Sequence, residues 1–193
     1  MPFPDDKSDA DLARAAQAGS REAFGELTLR HYPAVHAFLL SLLANRTDAE
    51  DLTQDTFLRA LTKLHHFDPG QPFRPWVFTL ARRLAITRWR RHKPTSTLDD
   101  SIPHPHAPTP QSAHDAAALW SLAREHLKPN EFAALWLFYR EDLPVKDIAR
   151  VLKKSEANAK VILHRARTTL REHLSPESWL PSHRNATAIQ PTS

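Results

Sequence analysis

Residues 74–93 read RPWVFTLARRLAITRWRRHK, and this stretch decides the fold class. Trp76, Val77, Leu80, Ala81 and Leu84 recur at three- and four-residue steps, so they line one stripe of a helix suited to a core. Arg83, Thr87, Arg90 and Arg91 fall together on another stripe, which leaves the basic face separable from the packing face. A helix that only had to stay in solution would intersperse acids for i to i+4 pairing, yet residues 69–98 contain no Asp or Glu. Phe67, Phe73, Trp76, Phe78 and Trp89 crowd the helix and the loop before it. Aromatic rings beside guanidinium groups suit stacking on unpaired bases, so the stretch reads as a nucleic-acid face on a packed helix.

Toward the N-terminus the apolar spacing stays helical, with no β-branched alternation and no hairpin signal, which predicts an all-α fold. Ser8 opens a capping-box-like S-D-A-D, and Gly19 ends that first helix at Ala18. Ser20 caps a second helix reaching about residue 45, with Phe24, Leu27, Phe38, Leu39 and Leu42 as core candidates. Pro33 lacks an amide donor and is predicted to kink or interrupt it. Thr47, Asp48, Ala49 and Glu50 form a second capping box for a helix over residues 48–66. Its apolar stripe is Ala49, Leu52, Thr53, Thr56, Phe57, Ala60, Leu61 and Leu64.

Toward the C-terminus the pattern stops in residues 94–112, PTSTLDDSIPHPHAPTPQS, whose five prolines and few apolar residues cannot offset the entropy of ordering a backbone. This is a predicted interdomain tether. Helical spacing resumes at Asp115 and lasts to Leu174, after which a frayed tail is expected. Within the second half a helix over 130–140 precedes LPVKDIARVL, with Pro144 in its first turn, a tight Lys153-Lys154 connection and a third helix capped by Ser155. Ile148 and Leu152 face Ala159, Ile162, Leu163, Ala166 and Leu170, a helix-turn-helix pattern. Residues 150–171 hold seven Lys or Arg and one acid, Glu156, so the helix that would enter a major groove is the basic one. The predicted division is two small helical domains, 8–93 and 115–174, a linker at 94–114 and a tail at 175–193.

Composition narrows the chemistry. The chain has 193 residues, no Cys, a net charge of +4 and neither a secretory signal nor a run long enough to span a membrane, so a cytoplasmic protein with no membrane insertion is expected. Twelve histidines invite a metal or an enzyme, but no HExxH spacing occurs, His104 and His106 lie in the tether, and His65 and His66 are adjacent. Gly19, Gly25 and Gly70 are too scattered for a phosphate loop, and no Ser sits at a nucleophile elbow. No catalysis, metal or cofactor is expected.

DAEDLTQDTFLRAL, then FDPGQPFRPWVFTLARRLAITRWRR, then DIARVLKKSEANAKVILHRARTTLREHL together resemble the extracytoplasmic-function sigma factors of bacterial RNA polymerase. The resemblance covers residues 9–174 and includes the order of the two domains, with sigma region 2 first and region 4 second. It implies an alternative sigma factor that directs promoter-specific initiation. Asp51, Gln54, Asp55, Leu58 and Arg59 would dock on the clamp coiled coil of the largest subunit of core RNA polymerase. The loop 65–73, with Phe67 and Phe73, would pocket a flipped base, and Arg82, Arg83, Thr87, Arg90 and Arg91 would face the minus-10 promoter element. Ser155, Glu156, Asn158, Lys160, His164, Arg165 and Arg167 would contact the minus-35 duplex, base edges first and phosphates later. An anti-sigma factor is a further implied partner.

Some positions depart from the family pattern. Arg83 and Thr87 stand where Asn and Asp are usual, Ala157-Asn158-Ala159 replaces Gly-Thr-Val, and Val161-Ile162 replaces Ser-Arg. Lys153-Lys154 replaces a common Gly and an apolar residue, which implies strain if the left-handed turn is kept. Two readings stay open: an unusual minus-35 element, or a weakly binding second domain that serves partly as an interface. The competing function is a helix-turn-helix regulator that acts on DNA without joining polymerase.

Overall fold

Capping chemistry sets most of the helix limits in the computed structural model, which describes residues 7–92 and 114–174, the side chains of 89–92 and 114–117 excepted. Helix α1 (Asp9–Gln17) starts where the Ser8 hydroxyl accepts the Asp11 amide at 3.2 Å, and it stops at Gly19, whose φ of 102° suits a residue without Cβ. Helix α2 (Arg21–Leu43) is capped by Ser20 through the Ala23 amide and runs unbroken through Pro33. The predicted interruption does not occur there. His31 before the proline and Val35 and Phe38 after it are all buried, so packing on both sides outweighs one missing hydrogen bond.

Helix α3 (Arg46–Lys63) begins two residues before the predicted start at 48, because the Asn45 side chain, and not Thr47, caps it by accepting the Asp48 amide at 3.0 Å. A 3-10 turn over Leu64–His66 follows, then α4 (Phe73–His92). On α3 the stripe Ala49, Leu52, Thr53, Thr56, Phe57 and Ala60 is buried as expected, and the Thr53 and Thr56 hydroxyls donate to the carbonyls of Ala49 and Leu52. Leu61 is the exception at 50% exposure. Phe24 and Leu42 are only partly buried against the core.

The second half contains α5 (His114–His126), α6 (Pro129–Tyr139), α7 (Val145–Leu152) and α8 (Glu156–His173). Pro144 serves as the N-cap of α7, one place earlier than predicted, where its lack of an amide costs nothing. Lys153 adopts the left-handed conformation at φ 55°, and the Lys154 amide donates to the Ala149 carbonyl to close the turn. Ser155 caps α8 through the Asn158 amide, and Ile148, Leu152, Ala159, Ile162, Leu163 and Ala166 are buried between the two helices. All described secondary structure is helical. The predicted tether and tail lie outside the described residues. Where the sequence suggests domains joined only by that tether, α4 packs directly on α7, and one contiguous apolar cluster runs from Leu12 to Ala166.

Candidate functional site

Three surfaces follow from this packing. On α3, burial of the stripe facing α2 and α4 turns Asp51, Gln54, Asp55, Leu58 and Arg59 outward, and all five are exposed. Leu58 is 61% exposed, and Leu61, one turn further on, enlarges the same apolar spot. Two exposed leucines within a polar rim suit a protein interface. Sequence reasoning assigned Leu61 to the core because its spacing fits either face.

The loop between α3 and α4 is held from behind by Gln17, whose Nε2 donates to the carbonyls of Leu64 at 2.8 Å and Phe67 at 2.6 Å. Asp68 closes the turn by accepting the Gly70 amide at its side chain and the Gln71 amide at its carbonyl. A cleft of about 280 Å³ opens beside this loop, lined by His66, Phe67, Asp68, Trp76, Thr79 and, from α7, Arg150. Phe67 and Phe73 are not the open stacking platforms expected from the sequence, being 5% and 1% exposed. Their rings meet each other at 5.6 Å and Trp76 at 4.7 and 5.4 Å, so Phe73 is core and Phe67 is a cleft wall.

On α4, Arg83 and Thr87 are exposed, while the side chains of Arg90 and Arg91 lie outside the described set. Arg82 departs from the predicted face. It is half-buried and donates to Oδ1 of Asn130 on α6, and burial lowers its guanidinium from the ordinary arginine value. Arg74 at the start of α4 pairs with Glu141, a carboxylate only 4% exposed that also accepts Trp136 Nε1 at 3.2 Å. Neither contact was visible in the sequence, since the partners are 48 and 67 residues apart.

On α8, Ser155, Glu156, Asn158, Lys160, His164, Arg165 and Arg167 are all exposed. Six of them present side chains away from the α7 interface. Arg167 differs, because its Nε donates to the Tyr139 hydroxyl at 2.9 Å and its guanidinium lies 5.1 Å from the Phe138 ring, which draws it toward α6. Among the described residues no cluster of His, Asp and Glu is arranged to hold a metal, and no helix is long and apolar enough to cross a membrane.

Comparison with known proteins places both halves. The family model described as Sigma-70 region 2 matches residues 27–95, and that described as Sigma-70, region 4 matches residues 121–170. The ECF RNA polymerase sigma factor SigM of Bacillus subtilis is 33% identical over 141 residues, covering 71% of this chain and 86% of that protein. The RNA polymerase sigma factor CarQ of Myxococcus xanthus is 30% identical over 159 residues, covering 81% and 91%. The solved structure of CnrH, from Cupriavidus metallidurans, in complex with the cytosolic domain of CnrY superposes with a TM-score of 0.67 at 26% identity, over 86% of this chain and 97% of that one.

Proposed function

The chain belongs to the extracytoplasmic-function sigma factors of the sigma-70 family, and from that membership we propose that it binds core RNA polymerase and directs initiation at its own class of promoters. What carries the reading is the presence of both sigma regions in one chain, each with an exposed face on the helix that needs it, α3 and α8. Asp51, Gln54, Asp55, Leu58 and Arg59, joined by Leu61, dock on the clamp coiled coil of the largest subunit.

The cleft beside residues 65–73 takes an unpaired base of the minus-10 element, with Trp76 and Phe67 as its walls and Phe73 as the support behind them. Arg83 and Thr87 hold the adjoining strand, and Arg90 and Arg91 extend the same stripe by helical spacing. The exposed side chains at the start of α8 read the minus-35 duplex, while Arg165 supplies charge to phosphate. Catalysis stays with the polymerase, so the chain itself is a regulatory subunit acting in the cytoplasm without a metal or cofactor. By likeness to CnrH, it is also a target for an anti-sigma partner.

Gel filtration with bacterial core polymerase, followed by run-off transcription from genomic fragments, tests this. Co-elution with promoter-specific transcripts is the expected result. A folded chain that fails to co-elute would leave only a DNA-binding regulator.

A further inference from the structure

We infer that the C-terminal tail turns back on the second domain and seats Trp179 and Leu180 in an apolar groove between α5, α6 and α8. This docking is independent of the polymerase and promoter reading above.

The groove has a volume of about 900 Å³ and is lined by Leu119 and Trp120 of α5, Leu135 and Tyr139 of α6, and Leu170 and Leu174 at the end of α8. Trp120 packs on Phe132 at 5.8 Å and on Trp136 at 4.7 Å, yet it stays only partly buried. Leu119 is half-buried outside the core cluster, and Tyr139 is exposed. An apolar concavity of this kind on a small helical domain is a docking surface. His126 and His173, the last residues of α5 and α8, stack at 3.8 Å and hold those two helix ends together where the tail departs.

The point of departure selects the occupant. Leu174 turns extended at φ −89° and ψ 105° and is itself part of the groove wall, so the tail starts at the site. Pro176 cannot continue the helix and biases Ser175 toward the same extended backbone. Within residues 175–193 the one adjacent pair of large apolar residues is Trp179-Leu180, and a five-residue reach keeps Trp179 within about 18 Å of Leu174. Pro176 and Pro181 bracket the pair and reduce the backbone freedom lost on seating.

Charge agrees with this choice. Arg167 and Arg171 stand exposed on the rim, and Glu177, the sole acid of the tail, lies two residues before Trp179. Glu172 on the same rim leaves the cations in the majority. A short tether sets an effective concentration on the order of mM, so an intrinsic Kd of about 0.1 mM seats the tail about nine-tenths of the time. While it is seated, the groove is closed to any other apolar segment.

Fluorine NMR of the full chain carrying fluorotryptophan tests the docking. The chain has five Trp, and Trp179→Phe and Trp120→Phe identify the two signals that matter. The expected Trp179 signal is displaced from its position in denaturant and broadened about tenfold less by a neutral gadolinium chelate. Leu119→Asp puts a carboxylate on the groove wall and should return that signal to the exposed position, with thermal melting confirming the fold. Should Leu119→Asp not fold, Trp179→Ala with Leu180→Ala, both beyond the end of α8, should shift the Trp120 signal; an unmoved Trp120 overturns the groove assignment. A wild-type Trp179 at its denatured position and fully open to the chelate overturns docking. A protected Trp179 that ignores a folded Leu119→Asp variant overturns the groove as its site. Protection that fades on dilution, with dimers seen in sedimentation at high concentration, gives the groove to the tail of a second copy and overturns docking within one chain.

Discussion

His31 Nε2 lies 2.6 Å from Asp9 Oδ2, joining the first turn of α1 to the middle of α2. The hydrogen bond from His31 is the largest influence holding the Asp9 carboxyl below its ordinary value near 3.8; partial burial opposes it and the charges of His31 and Arg30 assist. A carboxyl depressed in the folded state adds stability above its unfolded value, and that stability is lost as pH falls through the folded value. Chemical denaturation followed across pH 2–6 should therefore show the wild type losing an increment of about 0.5–1 kcal/mol below pH 4 that Asp9→Asn lacks at every pH. Equal acid limbs in the two proteins would deny Asp9 this role.

Lys153 places a side chain where the backbone is left-handed, at φ 55° and ψ 49°. Glycine removes that strain but gains freedom in the unfolded chain, so Lys153→Gly should stabilise the second domain by about 0.5–1 kcal/mol, read as a higher melting temperature. No gain would mean that the Lys154 to Ala149 closure already compensates.

Leu58 and Leu61 make no contribution to the core that their exposure would allow to be large. Replacing both with Ala should leave unfolding free energy within about 0.5 kcal/mol, as is usual for surface sites. Core-polymerase affinity should nevertheless fall at least about tenfold if this pair is an interface anchor. Asp55→Ala with Leu58→Ala tests the same face through its rim, and unchanged co-elution in both variants would remove α3 from the interface.

Phe73 and Arg83 should separate cleanly. Phe73→Ala empties a fully enclosed site beside Phe67, Trp76 and His31 and should cost about 3–5 kcal/mol of stability. Arg83→Ala should leave the melt unchanged and weaken promoter binding by the holoenzyme. A stable Phe73→Ala protein that cannot open promoters would return Phe73 to the DNA face.

Promoter affinity of the holoenzyme should fall steeply with salt, with a log-log slope of about −0.9 for each phosphate contacted. Removing Arg165 should reduce the slope by about one such unit, whereas a flat salt dependence would count against both basic faces.

Sequence alone determined the helical class, the helix-turn-helix, the caps at Ser8, Ser20 and Ser155, and the outward face of α3 at Asp51, Gln54, Asp55, Leu58 and Arg59. These depend on interactions within four residues or on helical periodicity, which a sequence carries explicitly. Only the tertiary structure decided that Leu61 faces outward, that α2 passes through Pro33, that Phe67 and Phe73 are buried, and that Arg82 and Arg74 are taken by Asn130 and Glu141. Each of those outcomes turns on which neighbour arrives from a distant part of the chain. An arginine on a basic stripe has the same local pattern whether its partner is a phosphate or a buried carboxylate, and the difference is the desolvation of Glu141, a property of the packed protein.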